Sequence, residues 1–154
     1  MDLLLDEPRS RQIAEQIKSR ARKPFDNAYQ AALVLSSATY VQGFVAYASK
    51  PYRLIEHAWL ELEDVIIDPT FPYLKKKAAD LSYFAAQKLT VKQLKAAIEE
   101  AKEDYPDDDP LPIYGDMPYE YYGDVMLGGK DYMQAYRAAE AKCQELTRGI
   151  GDKN

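Results

Sequence analysis

His57 is the only histidine of this chain, and a carboxylate, Asp68, follows it eleven positions later. The run between them reads Ala58-Trp59-Leu60-Glu61-Leu62-Glu63-Asp64-Val65-Ile66-Ile67. Two short apolar stretches with an acidic turn between them can bring a base and its orienting acid together across paired strands. The acid accepts from one imidazole nitrogen, fixes the tautomer, and leaves the other nitrogen to take a proton. Trp59 shares a strand face with His57 and would exclude water from the pair. Such a pair is useful to an enzyme only beside a nucleophile. The single cysteine, Cys143, sits far down the chain on an apolar helical stripe, where a thiol packs rather than reacts. Ser36 and Ser37 fall at the far end of a helix that begins at Pro24, about 18 Å away at helical rise.

The elements that must carry these residues are legible in the pattern. Arg9–Arg22 predicts a helix with Ile13 and Ile17 on one face. Pro24 is suited to the first position of a second helix, to Leu35, because its missing N–H has no intrahelical partner there. The period then changes to two. Tyr40–Tyr47, Glu56–Leu62 and Val65–Asp68 read as strands, with turns at Ser49-Lys50-Pro51 and at Glu63-Asp64. Leu81–Gln87 reads as a fourth strand, and Thr90 as the N-cap of a helix over Val91–Lys102. Asp104–Gly129 reads as a long irregular segment holding Tyr114, Tyr119, Tyr121 and Tyr122, four of the chain's 13 tyrosines. A last helix over Asp131–Leu146 places Tyr132, Tyr136, Ala139, Cys143 and Leu146 on one stripe and ends at Gly149-Ile150-Gly151. The predicted fold class is α+β: a small antiparallel sheet packed with N- and C-terminal helices, since the strand links are too short for crossovers. One domain over residues 1–148 with a flexible tail at 149–154 suits a chain of 154 residues.

Composition excludes some classes. A net charge of -5 argues against non-specific nucleic-acid binding, which needs a basic face. One cysteine and one histidine give neither an intramolecular disulfide nor a usual zinc site, and no cofactor is expected. No apolar run predicts a membrane span, and the acidic start is too short for a secretory signal. The expected location is a reducing cytoplasm, of a bacterial or an infected host cell.

In order and spacing, four segments resemble the core of transglutaminase-like proteins, part of the wider papain-like cysteine-peptidase group. They are Pro24-Phe25-Asp26-Asn27-Ala28, Tyr40-Val41-Gln42-Gly43, His57-Ala58-Trp59 and Asp68-Pro69-Thr70. The small bacterial and phage-type members carry Cys-aromatic-x-Asn-Ala at a helix start, then aromatic-Val-x-Gly, His-Ala-Trp and Asp-Pro-Thr. The resemblance spans about residues 20–73. It implies a Cys–His–Asp triad, with His57 and Asp68 as two of its members. It also implies that the nucleophile's position is Pro24. Proline has no nucleophilic atom and lacks the N–H that can help hold an oxyanion. In triad enzymes, loss of the nucleophile costs on the order of 10⁶ in turnover.

Three function classes follow. The first is a catalytically degenerate binding protein whose remnant cleft, with Gln42, Trp59, Asn27 and Tyr29 as ligand-binding residues, takes a peptide, a protein or a small molecule. A nucleotide could stack on tyrosine beside Lys50 or Arg53. The tyrosine-rich segment 105–129 would form a lid, and a phage or mobile-element gene would suit such a protein. The second is an active hydrolase or acyl transferase with His57 as general base and another nucleophile. The third is a structural protein that self-assembles through its tyrosine-rich surface.

Overall fold

Asp6 begins the first helix as its side chain accepts the Arg9 N–H at 3.0 Å. The structure, a computed structural model, describes residues 3–48, 53–113, 119–122 and 125–151. In chain order its elements are β1 (Leu4–Leu5), α1 (Glu7–Ile17), α2 (Pro24–Val34), β2 (Thr39–Tyr47), β3 (Arg53–Leu62), β4 (Val65–Ile67), α3 (Phe71–Leu74), a 3-10 turn (Ala78–Asp80), β5 (Ser82–Thr90), α4 (Val91–Asp104), β6 (Tyr119–Tyr122), β7 (Val125–Gly128) and α5 (Gly129–Gly151). The class is mixed α+β, as expected.

The main sheet has five strands in the order β1-β4-β3-β2-β5, and it is mixed rather than antiparallel. β3 and β4 pair antiparallel, but β1 pairs with β4 in parallel, Leu4 against Val65 and Leu5 against Ile66. A two-residue strand leaves no period to read. It is held instead by its backbone, continued by the Asp6 N–H donating to the Ile66 carbonyl at 2.8 Å.

Other boundaries also differ from the pattern. α1 stops at Ile17, short of the expected Arg22, because Lys18 turns left-handed with φ 55° and its N–H caps Ala14 and Glu15. β5 runs on to Thr90. The Thr90 and Gln93 side chains and backbones then exchange bonds in a capping box that starts α4 at the expected residue. The segment expected to be irregular contains a hairpin, β6 with β7, pairing Tyr119 to Gly128 and Tyr122 to Val125. α5 runs through Gly149, Ile150 and Gly151, where a stop was expected. Glycine in a helix costs about 1 kcal/mol and does not forbid it. Tyr114 and the turn Ser49-Lys50-Pro51 lie outside the described residues.

Contacts divide the chain into two compact units. The first comprises residues 1–42, 58–75 and 88–113. Its core gathers Ala28, Ala31 and Ala32 of α2, Tyr40 of β2, Leu60 of β3, Ile67 of β4, and Leu94 and Ile98 of α4. Alanines on the inner face of α2 let that helix approach closely. The second unit comprises residues 43–57, 76–87 and 114–154. Its core is Phe44 with Tyr132, Ala135 and Ala139 of α5. Phe44 and Tyr136 meet edge to face with centroids 5.5 Å apart. Cys143 is fully buried on the same stripe, its Sγ 3.5 Å from the Tyr47 carbonyl.

Candidate functional site

Glu63 and Asp64 turn the β3–β4 hairpin with φ of 51° and 65°, the double left-handed conformation that matches strand twist in a tight hairpin. Neither is glycine, and the backbone accepts that strain because the register behind it is specified. Leu62 pairs with Val65, Glu61 with Ile66 and Leu60 with Ile67. Trp59 and Asp68 are the next residues beyond this paired stretch, one on each chain segment. Both are buried, Trp59 at 1% exposure and Asp68 at 0%.

A carboxylate at that depth must be satisfied by hydrogen bonds. The Asp68 Oδ1 accepts the Thr70 N–H at 2.9 Å, closing a turn around Pro69. The Asp68 N–H donates to the Ser10 Oγ of α1 at 2.9 Å. The Thr70 hydroxyl accepts from the Asn27 Nδ2 at 2.9 Å. That same amide donates to the Arg20 carbonyl at 2.8 Å, and its Oδ1 accepts the Arg20 N–H at 3.0 Å. A buried polar chain thus runs from α1 through Asp68 and Thr70 to α2 and the loop before it. It gives physical reasons for the asparagine of Pro24-Phe25-Asp26-Asn27-Ala28 and the threonine of Asp68-Pro69-Thr70: each satisfies backbone or hydroxyl groups of the other's neighbourhood.

Pro24 is the first residue of α2, as its ring favours. The N-cap, Lys23, makes no side-chain capping bond. Gln42, buried at 1% exposure, uses its amide on protein groups. Its Oε1 accepts the Tyr40 hydroxyl at 2.8 Å and the Ile113 N–H at 2.9 Å, and its Nε2 donates to the Ile113 carbonyl. It clamps the 109–113 segment onto β2.

That segment walls a cleft of about 380 Å³ in the first unit. Asp109, Pro110 and Leu111 form one side, Asn27 and Tyr29 of α2 another, with Ile98 of α4 behind. Of the four residues expected to bind ligand, Asn27 and Tyr29 line this cleft, while Gln42 braces its wall from outside and Trp59 lies in the sheet. The residues that pattern reading missed are Ser10, Arg20 and Ile113. A serine on a helix face and an exposed arginine in a loop carry no sequence signal for such roles.

His57 belongs to the second unit. It is 1% exposed, and its ring lies 6.5 Å from that of Tyr83 at 52°. Its neighbour Glu56 is partly buried, and desolvation pushes its carboxyl up to about 7. Gly43, the glycine of Tyr40-Val41-Gln42-Gly43, marks a close approach between strands: a Cβ there would run into the Phe84 carbonyl oxygen of β5. The side chain of Arg53 and Lys50 lie outside the described residues, as does the lid proposed for 105–129 over residues 114–118 and 123–124. Among the described residues no three His, Cys, Asp or Glu side chains gather as metal ligands, and no helix is long and apolar enough to cross a membrane.

Compared with known proteins, the chain matches no family model, no curated protein and no solved structure.

Proposed function

We propose that this chain is a catalytically degenerate transglutaminase-like protein whose remnant site binds a peptide, a protein or a small molecule. The observation that carries the reading is Pro24 at the first position of α2, three residues before a buried Asn27 that is bonded to Thr70 of Asp68-Pro69-Thr70. In the family, that helix start is where the thiolate would stand, favoured by the positive end of the helix dipole. A proline removes the nucleophile and a backbone donor together, while the buried polar chain around Asn27 and Asp68 persists. Among the cavities of the same unit, the cleft lined by Asn27 and Tyr29 is the one that adjoins this polar chain, through Asn27, and it would take the ligand. A phage or mobile-element protein that sequesters a host factor would suit such a site.

The test is acyl transfer from activated esters and thioesters. The native chain should give no turnover and no covalent adduct by intact mass. Pro24→Cys should form an acyl adduct at residue 24, and His57→Ala in that background should suppress it. Turnover by the native chain, or acylation of Pro24→Cys that is no faster than that of Leu33→Cys on the exposed side of α2, overturns the reading.

A further inference from the structure

The charges around the cleft narrow what it takes. Lys18 comes from the C-cap of α1, Arg20 from the following loop and Lys102 from the last turn of α4, and all three line the cavity. Among the described residues, none of the three is in an ion pair. Two carboxylates, Asp26 and Asp109, face the same space, and the Asp109 Oδ1 is engaged by the Leu111 N–H at 3.1 Å. Three cations outside any ion pair against two carboxylates give the cleft a formal charge of about +1, on a chain of net charge -5. The cations repel one another, and a bound anion relieves that repulsion.

Arg20 is not a loose surface arginine at its root. Its N–H and its carbonyl are both held by the buried Asn27 amide, so its main chain is fixed at the cleft. A guanidinium with a fixed root loses less freedom on binding an anion. Tyr29 is half-buried, and it lines the cavity with the buried Ile98 and Leu111. Together these form an apolar wall beside a cationic rim.

We propose that the cleft binds a small organic phosphate, with Arg20, Lys18 and Lys102 around the phosphate and Tyr29 against the organic body. This deepens the reading of the cleft as a binding site and rests on it. A phosphate monoester is chosen over a carboxylate because it has three acceptor oxygens pointing in different directions. The three donors likewise come from three different elements, whereas a carboxylate offers two oxygens in one plane. The cavity of about 380 Å³ falls in the range of small-ligand pockets.

Calorimetric titration of the full chain tests it with five probes: AMP, ribose 5-phosphate, inorganic phosphate, adenosine and succinate. AMP and ribose 5-phosphate should bind, AMP the tighter through its base. Adenosine and succinate should bind at least about tenfold more weakly than AMP. Arg20→Gln should weaken AMP about fivefold, and Arg20→Gln with Lys102→Gln further, with circular dichroism unchanged because both residues are exposed. Adenosine or succinate binding as tightly as AMP overturns the proposal. So does AMP binding that the double substitution leaves unchanged, or no heat from any phosphate probe at millimolar concentration. An uncharged acetylated dipeptide added to the same series separates the two levels. If it binds while the phosphates do not, the ligand class is wrong and the cleft still binds. Acylation of Pro24→Cys reports on the ancestry of the site independently of either result.

Discussion

Asn27 is the fourth residue of α2 and directs its amide away from the helix, to Arg20 on one side and Thr70 on the other. Replacing it by alanine removes the partner of the Arg20 N–H and carbonyl, which are part-buried, and of the buried Thr70 hydroxyl. Asn27→Ala should therefore lower unfolding free energy by about 2–4 kcal/mol in urea melts, whereas Thr70→Val, which strands one donor, should cost about 1–2 kcal/mol. Equal costs would mean that the Arg20 contacts contribute nothing. Glu56 makes a pH prediction. Burial raises its folded pKa to about 7 from an ordinary value of 4.5, so the native state holds the proton more tightly than the unfolded chain. Stability then falls as pH rises through that interval and is lowest, for this group, above about 7. Glu56→Gln should stabilise the protein by about 1–2 kcal/mol at pH 8, after allowance for partial exposure, and by nothing at pH 4. A gain independent of pH would contradict the desolvation account.

At the scale of elements, the tightest constraint is the approach of β2 to β5 at Gly43. Any Cβ there meets a backbone carbonyl, which cannot swing aside as a side-chain tip can. Gly43→Ala should cost about 2–4 kcal/mol, read from the shift in urea midpoint at constant slope. A loss under about 0.5 kcal/mol would show that the strands can separate there. The elements that the sequence announced are those with local chemistry. Glu63-Asp64 between two apolar runs gave the hairpin, Thr90 with Gln93 gave the start of α4, and Pro24 gave the start of α2. The missed features depend on partners far along the chain. β1 exists because Ile66 lends it a pairing edge, and Gln42 turned out to be a clamp because Ile113 comes back to it. Proline and glycine on either side of Tyr119–Tyr122 hid a hairpin whose tyrosines favour strands. His57, Trp59, Asp68 and Asn27, which the sequence singled out, are all buried. How Asn27 and Asp68 are satisfied was not legible, because that depends on Ser10 and Arg20, which carry no pattern.

At the scale of the molecule, three segments of one short chain contribute to each of two cores, and β2, β3 and β5 each pass from one unit into the other along their length. Within these strands the change falls between Gln42 and Gly43 in β2, between His57 and Ala58 in β3, and between Gln87 and Lys88 in β5. Residues of the four segments singled out in the sequence therefore fall in both units. The acidic net charge and the cationic cleft are likewise properties of the chain as a whole and of one place on it. Everything proposed for the site turns on the start of α2 being a former nucleophile position. Its most direct measurement is the rate of alkylation of Pro24→Cys as a function of pH, with Leu33→Cys as the ordinary exposed thiol and the buried Cys143 as a silent background. A former nucleophile position should give a thiolate pKa at residue 24 at least about one unit below the usual value near 8.5, with faster alkylation at neutral pH than at residue 33. Superimposable pH profiles for the two thiols would contradict it.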